Sequence, residues 1–157
     1  MADKNAPEKL PFRVGRLIDG TGAEAVRDAV VQVSGTKIAW VGPYPQWRES
    51  HAAESVWHLP DCTALPGLID AHTHLSLAGD GRTYEQMAQD SDTMMALVAI
   101  RNCRIHLNTG VTTVRDNGAR NRVTFIVREA LERGYAIGPR LLLSGRPITP
   151  SGGHFSW

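Results

Sequence analysis

Between Phe12 and Val41 the chain reads FRVGRLIDGTGAEAVRDAVVQVSGTKIAWV, with β-branched residues alternating with polar ones between glycine-containing turns. A period of two is the mark of half-buried strands, and two or three antiparallel strands are expected here. Ala29 to Val33 and Lys37 to Val41 flank Ser34-Gly35-Thr36, which predicts a hairpin whose Gly35 supplies a positive φ. Gly42-Pro43 ends it. Tyr44 to Ala53 carries no clear period, and Val56 to Leu59 and Thr63 to Leu65 read as two short strands ahead of the Pro66-Gly67 break.

From Leu68 the pattern changes to strand, helix, strand, helix, strand. Leu68 to His72 is a buried-strand candidate, and Gly79 to Asp90 is a polar loop. The stretch SDTMMALVAIRNCRIHLNTG predicts a helix capped by Ser91, with Ala96, Ile100, Cys103 and Leu107 on one face and Gly110 just past its end. Met94 and Met95 read as helix packing. Val111 to Asp116 is a β-branched strand. Asn121 is expected to cap a second helix with an apolar stripe of Val123, Ile126, Val127, Ala130 and Leu131, stopped by Gly134. Arg140 to Ser144 is a third strand, followed by the Gly/Pro-rich loop GRPITPSGGHFSW. Repeated βα units predict a parallel sheet, and sites in such folds lie at the carboxyl ends of the strands. His72 and His74, Arg115 and Asp116, and Arg146, Thr149 and His154 all fall there.

Composition narrows the function without choosing it. The chain has 157 residues, 42% hydrophobic and 21% charged, and its 17 basic and 16 acidic residues leave a formal charge of +1. That balance gives no electrostatic reason to expect nucleic acid or an anionic membrane as partner; a small molecule is the expected partner. The start, MADKNAPEKLPF, has polar residues where a secretory signal carries its apolar stretch, and no run of about 18 apolar residues occurs, so a cytoplasmic location is expected. Cys62 and Cys103 stand alone, which leaves His and carboxylates as the available metal ligands.

The candidate chemistry centres on LIDAHTHL, residues 68 to 75. On a regular strand Asp70, His72 and His74 share one face, and imidazoles two residues apart, about 6.6 Å along the strand, can converge on one ion. Asp70 reads as support for a metal ligand or as a plain structural residue, and Asp116 as a pocket residue or as a cap ahead of NGARN. His51, His58 and His106 have no partner pattern and read as structural or exposed.

ALPGLIDAHTHL, preceded by IAWVGP and followed by GVTTVRDNG, resembles the amidohydrolase superfamily of metal-dependent hydrolases from about Phe12 to the end. Within it the chain is most similar to the prolidase-like, Xaa-Pro dipeptidase-type amidohydrolases. The resemblance implies an α/β protein: part of a small β-sandwich domain over residues 1–65, then the first three βα units of a (β/α)8 TIM barrel over residues 66–157. It implies that His72 and His74 bind one of one or two divalent ions, zinc by expectation, and that His154 lines the substrate pocket. It implies hydrolysis of amide bonds in dipeptides or N-acyl amino acids by metal-activated water, with cyclic-amide or lactone hydrolysis, deamination, or a non-catalytic fragment as alternatives. The family also uses a lysine, two further histidines and an aspartate from later strands, so no catalytic residue is assigned within this chain. About 90 residues follow Gly67, against the roughly 250 of a whole barrel; the chain is therefore expected to be an amino-terminal portion, inactive and unstable alone, and a homo-oligomer when complete.

Overall fold

The computed structural model describes residues 9–154, so the polar amino-terminal stretch and the last three residues of the Gly/Pro-rich loop lie outside the described residues. The chain divides into two compact units, one ending at Pro66 and the other beginning at Gly67.

The first unit is a four-stranded sheet in the order β3-β2-β1-β4, built from β1 (Lys9–Leu17), β2 (Val26–Ser34), β3 (Lys37–Pro43) and β4 (Trp57–Ala64). The expected hairpin forms: Ser34 pairs with Lys37, and Gly35 takes φ 56° at the turn. β2 is central and buried on both faces from Ala29 to Gln32. Ala29 and Val31 join Val14 and Leu17 in one core cluster. On the other side Gln32 accepts a hydrogen bond from the buried Trp47 indole at 3.2 Å. Trp47 belongs to α1 (Tyr44–Ser50), a short helix with Pro45 in its first turn in the stretch where no period was evident.

One expectation for this unit needs correction. The two short strands before Pro66 are one strand, β4, and it runs parallel to β1, a pairing for which no direction was expected. Pro60 survives inside it because β4 is an edge strand with a bulge: Val14 pairs with Leu59 but Arg16 with Thr63. Gly15 faces the bulge, where an added Cβ would fall 1.8 Å from the Pro60 carbonyl oxygen.

The second unit is a parallel sheet in the order β5-β6-β7, formed by β5 (Leu68–Thr73), β6 (Val111–Asp116) and β7 (Arg140–Leu143). Between the strands run α2 (Tyr84–Met87), α3 (Asp92–Asn108) and α4 (Val123–Glu132). This is the opening of a (β/α)8 barrel. α2 is a single turn with a Thr83–Gln86 capping box, inside the stretch read as loop. Ser91 caps α3 by accepting the Met94 amide, and Gly110 follows its end at φ 87°. The buried line of α3 is Met95, Ala99 and Cys103, one residue round from the predicted stripe, while Met94 is exposed. The core of the unit gathers Leu75, Ala99, Cys103, Val114, Val127 and Leu141.

Here too sequence and structure differ. β5 is not buried: Ile69 is 71% exposed, because the strand has one neighbour, β6, and α3 and α4 pack from that side. Asn121 does not cap α4, whose N-cap is Arg122 without a side-chain bond. Asn121 instead takes φ 51° and donates to Asp92 Oδ2 at 2.8 Å. Ile126 in the expected stripe is exposed.

Candidate active site

His72 is in the last turn of chain of β5 and His74 lies one residue past the strand, at the carboxyl end of the parallel sheet. Their rings sit edge to face with centroids 5.5 Å apart. The register of β5 on β6 shifts between Asp70 and Thr73, and this bulge breaks the simple alternation. Asp70 therefore does not stand in line with the two histidines. It turns toward α3, where its Oδ2 lies 3.3 Å from His106 Nε2, while its Oδ1 accepts the His72 amide at 3.0 Å. His106, which had no partner pattern in the sequence, has this one in the fold.

The chain after β6 supports the histidine segment. His74 Nδ1 lies 3.1 Å from the Gly118 carbonyl oxygen; a carbonyl only accepts, so in the neutral ring Nδ1 carries the proton and Nε2 the lone pair. Leu75 donates its amide to Asp116 Oδ1 at 2.9 Å. On the helix side Asn102 Nδ2 donates to the Leu75 and Leu77 carbonyls at 3.0 and 2.8 Å. Asp116 is fully buried. Burial pushes its carboxyl above the usual range, against the pull of the Leu75 amide, the nearby Thr124 hydroxyl and His74.

His72, His74 and His154 open on the same cavity of about 340 Å³, with Asn117, Pro147 and Ile148 on its walls. His154 also stacks on Tyr84 of α2, centroids 6.3 Å apart, so the loops after β5 and β7 meet beside the histidines. Arg115 stands exposed on β6, and Thr149 lines the cavity. A larger hollow, about 880 Å³, lies between α3 and Tyr135 to Ile137. Its polar side chains include Arg101, Arg104 and Tyr135 but no thiol, carboxylate or imidazole, so the smaller cavity is the chemical candidate.

Among the described residues no group of three or more His, Cys, Asp or Glu is placed to hold an ion. The histidine pair still suits a divalent metal: two imidazoles side by side, one with a ring nitrogen held by a carbonyl. The three histidines singled out in the sequence line one cavity; the contacts of Asn102, Asn117, Gly118 and Tyr84 around them were not anticipated. An asparagine within an apolar helix stripe was the one available signal, for Asn102. No helix among the described residues is long and apolar enough to cross a membrane.

Comparison with known proteins places these features. Residues 63–154 match the amidohydrolase family. An imidazolonepropionase of Paenarthrobacter aurescens (strain TC1) is 31% identical over 136 residues, covering 85% of this chain and 31% of its own length. One from Yersinia pseudotuberculosis is 38% identical over 61 residues, 39% of this chain and 15% of its own. Among solved structures, a Xaa-Pro dipeptidase with methionine bound in its active site superimposes with TM-score 0.78 at 28% identity, over 93% of this chain and 35% of that one. Molinate hydrolase does so with TM-score 0.75 at 29% identity, over 90% and 30%. The chain spans about a third or less of the length of each of these proteins.

Proposed function

Since the chain belongs to the amidohydrolase family, a family of hydrolases acting on carbon–nitrogen bonds, we propose that it contributes the first metal ligands and part of the substrate pocket of a metal-dependent amide hydrolase. The observation that carries this reading is the edge-to-face pair of His72 and His74 at the carboxyl end of a parallel strand. In this reading His72 and His74 hold a divalent ion, zinc first among candidates, through imidazole nitrogens. When bound, such an ion lowers the pKa of water to about 7 and polarises a carbonyl. The Gly118 carbonyl keeps His74 in the tautomer that presents Nε2. His154 faces the substrate, and Pro147 and Ile148 give the cavity an apolar side. Protein zinc sites use three or four protein ligands; the remainder would come from chain beyond these residues.

For the substrate we infer an open-chain amide, a dipeptide or N-acyl amino acid, supported by the likeness to the Xaa-Pro dipeptidase over nearly the whole chain. The imidazolonepropionase match over 85% of the chain favours a second reading, a cyclic amide. The test is hydrolysis by the complete protein, with added Zn²⁺, of Xaa-Pro dipeptides, N-acyl amino acids and an imidazolone ring. Turnover confined to the ring would replace the first reading with the second. His72→Ala is expected to lose metal and activity together, and His154→Ala to cut turnover at unchanged metal content. Equal metal loss in both would remove His154 from the substrate side.

A further inference from the structure

Asp116 is a wholly buried carboxylate that the proposed hydrolysis does not use. Its Oδ1 accepts the Leu75 amide, and its Oδ2 is buried beside the Thr124 hydroxyl and the Gly118 amide. A side chain serving packing alone would be apolar here, because burying a carboxylate is costly. What Asp116 supplies in return is geometric. Together with the next two residues it holds the backbone around both histidines: Asn117 donates its amide to the Thr73 carbonyl at 2.8 Å and its side chain to the Ala71 carbonyl at 3.4 Å, and the Gly118 carbonyl accepts from the His74 ring. The residues before and between the histidines are tied to Asn117, the residue after them to Asp116, and the His74 ring itself to Gly118. Behind them, Ser144 donates its amide to the Asp116 carbonyl at 3.0 Å, which fixes the end of β6 to the segment after β7.

We propose that Asp116 is the positioning residue of the His72 and His74 pair. By accepting the Leu75 amide it sets the backbone just past His74, and that setting keeps the ring on the Gly118 carbonyl with Nε2 turned to the ion. The inference rests on the reading of the two histidines as metal ligands. It differs from a role in stability because the amide oxygen of asparagine can replace the carboxylate as acceptor for Leu75, whereas alanine or leucine cannot.

The test uses the complete protein and Zn²⁺ affinity by chelator competition, with ¹⁵N spectra reporting the His74 tautomer. His72→Ala and His74→Ala come first: if neither weakens zinc binding, the metal reading fails and Asp116 is not at issue. If both do, Asp116→Ala and Asp116→Leu are expected to bind zinc 10- to 100-fold more weakly, the range for residues that orient metal ligands, with a mixed His74 tautomer. Asp116→Asn is expected to stay within about threefold of the parent. Leu131→Ala, which trims the same core away from this segment, controls for lost stability and should leave affinity unchanged. The proposal is overturned if a folded Asp116→Ala or Asp116→Leu binds within twofold of the parent, or if Leu131→Ala weakens binding as much. Should neither of the first two fold, Asp116→Asn decides alone, and a tenfold weakening in it overturns the proposal.

Discussion

Gly118→Ala attacks the site through one methyl group. Gly118 has φ 147°, where side chains other than glycine are strained by about 1–3 kcal/mol. Its Cβ would fall 2.5 Å from Pro147 Cγ and 3.1 Å from Cδ, and a stiff pyrrolidine ring must be displaced, which adds about 1–3 kcal/mol of overpacking. The two contributions together make about 2–6 kcal/mol. In a complete barrel, where 1 kcal/mol moves the midpoint by about 2–4 °C, that is a fall of about 4 °C or more. The same displacement pulls the Gly118 carbonyl off the His74 ring, now 3.1 Å away, and is expected to weaken zinc binding 10- to 100-fold. Thermal unfolding and chelator competition measure the two effects. Adding Pro147→Ala removes the steric part and should recover about half of the lost stability, leaving the backbone part. If Gly118→Ala unfolds within 1 °C of the parent and binds zinc equally well, the account of this loop is wrong.

Three further outcomes follow from the structure. Cys103 is buried, and burial first and the Asp116 charge second push its thiol up to about 11, so at pH 8 only about one part in a thousand is thiolate; a thiol reagent should modify exposed Cys62 quickly and Cys103 only on unfolding, and comparable labelling rates would contradict the packing. The Arg13 guanidinium, hydrogen-bonded to Asp28, holds that carboxyl below the usual range, so the pair stabilises the fold above about pH 3.9 and loses that contribution as pH falls through the lower folded-state value. Asp28→Asn, which tolerates the local φ of 50°, should cost about 0.2–1 kcal/mol at pH 7 for so exposed a pair, and a cost that does not shrink by pH 3 in urea titrations would refute the ion-pair account. Gly15→Ala should destabilise the first sheet by about 1–3 kcal/mol, since its Cβ meets the Pro60 carbonyl; an unchanged urea midpoint would mean the bulge is not where the register places it.

What was legible in the sequence was local. The hairpin at Gly35, the cap at Ser91, the stop at Gly110 and the limits of β6 each depend on a few neighbouring residues whose backbone preferences agree, and the histidine pair stood out through its strand context and the family resemblance, its spacing alone being a weak signal. What escaped depends on partners far along the chain. Nothing near Pro60 says that β1 will lie beside it in parallel and absorb the proline in a bulge. Asn121 is a good cap by composition, but Asp92, 29 residues away, takes its side chain. Asp70 and His106 stand on different elements, and the bulge that brings them together is a property of the β5 and β6 register. The exposure of Ile69 was hidden because an apolar run says that a strand needs covering, not which residues will cover it.

The loop between β5 and α3 is fastened at its ends, and its tip, where Asp80 pairs with Arg82 of the same loop, is exposed. Asn102 holds it near Leu75 and Leu77, and Arg120 holds it at the Ala88 and Asp90 carbonyls. At the tip, Gly79 and Gly81 have open space where a side chain would begin. A chain built this way separates inheritance from novelty. Extra residues spliced between the two glycines would cost only about 0.6 kcal/mol for each doubling of loop length, and the fastenings would keep that growth from reaching the histidines. The tip is thus the natural ground for evolving or grafting new recognition onto an unchanged chemical base, and a library of insertions there would sample new specificities without first having to rescue the fold.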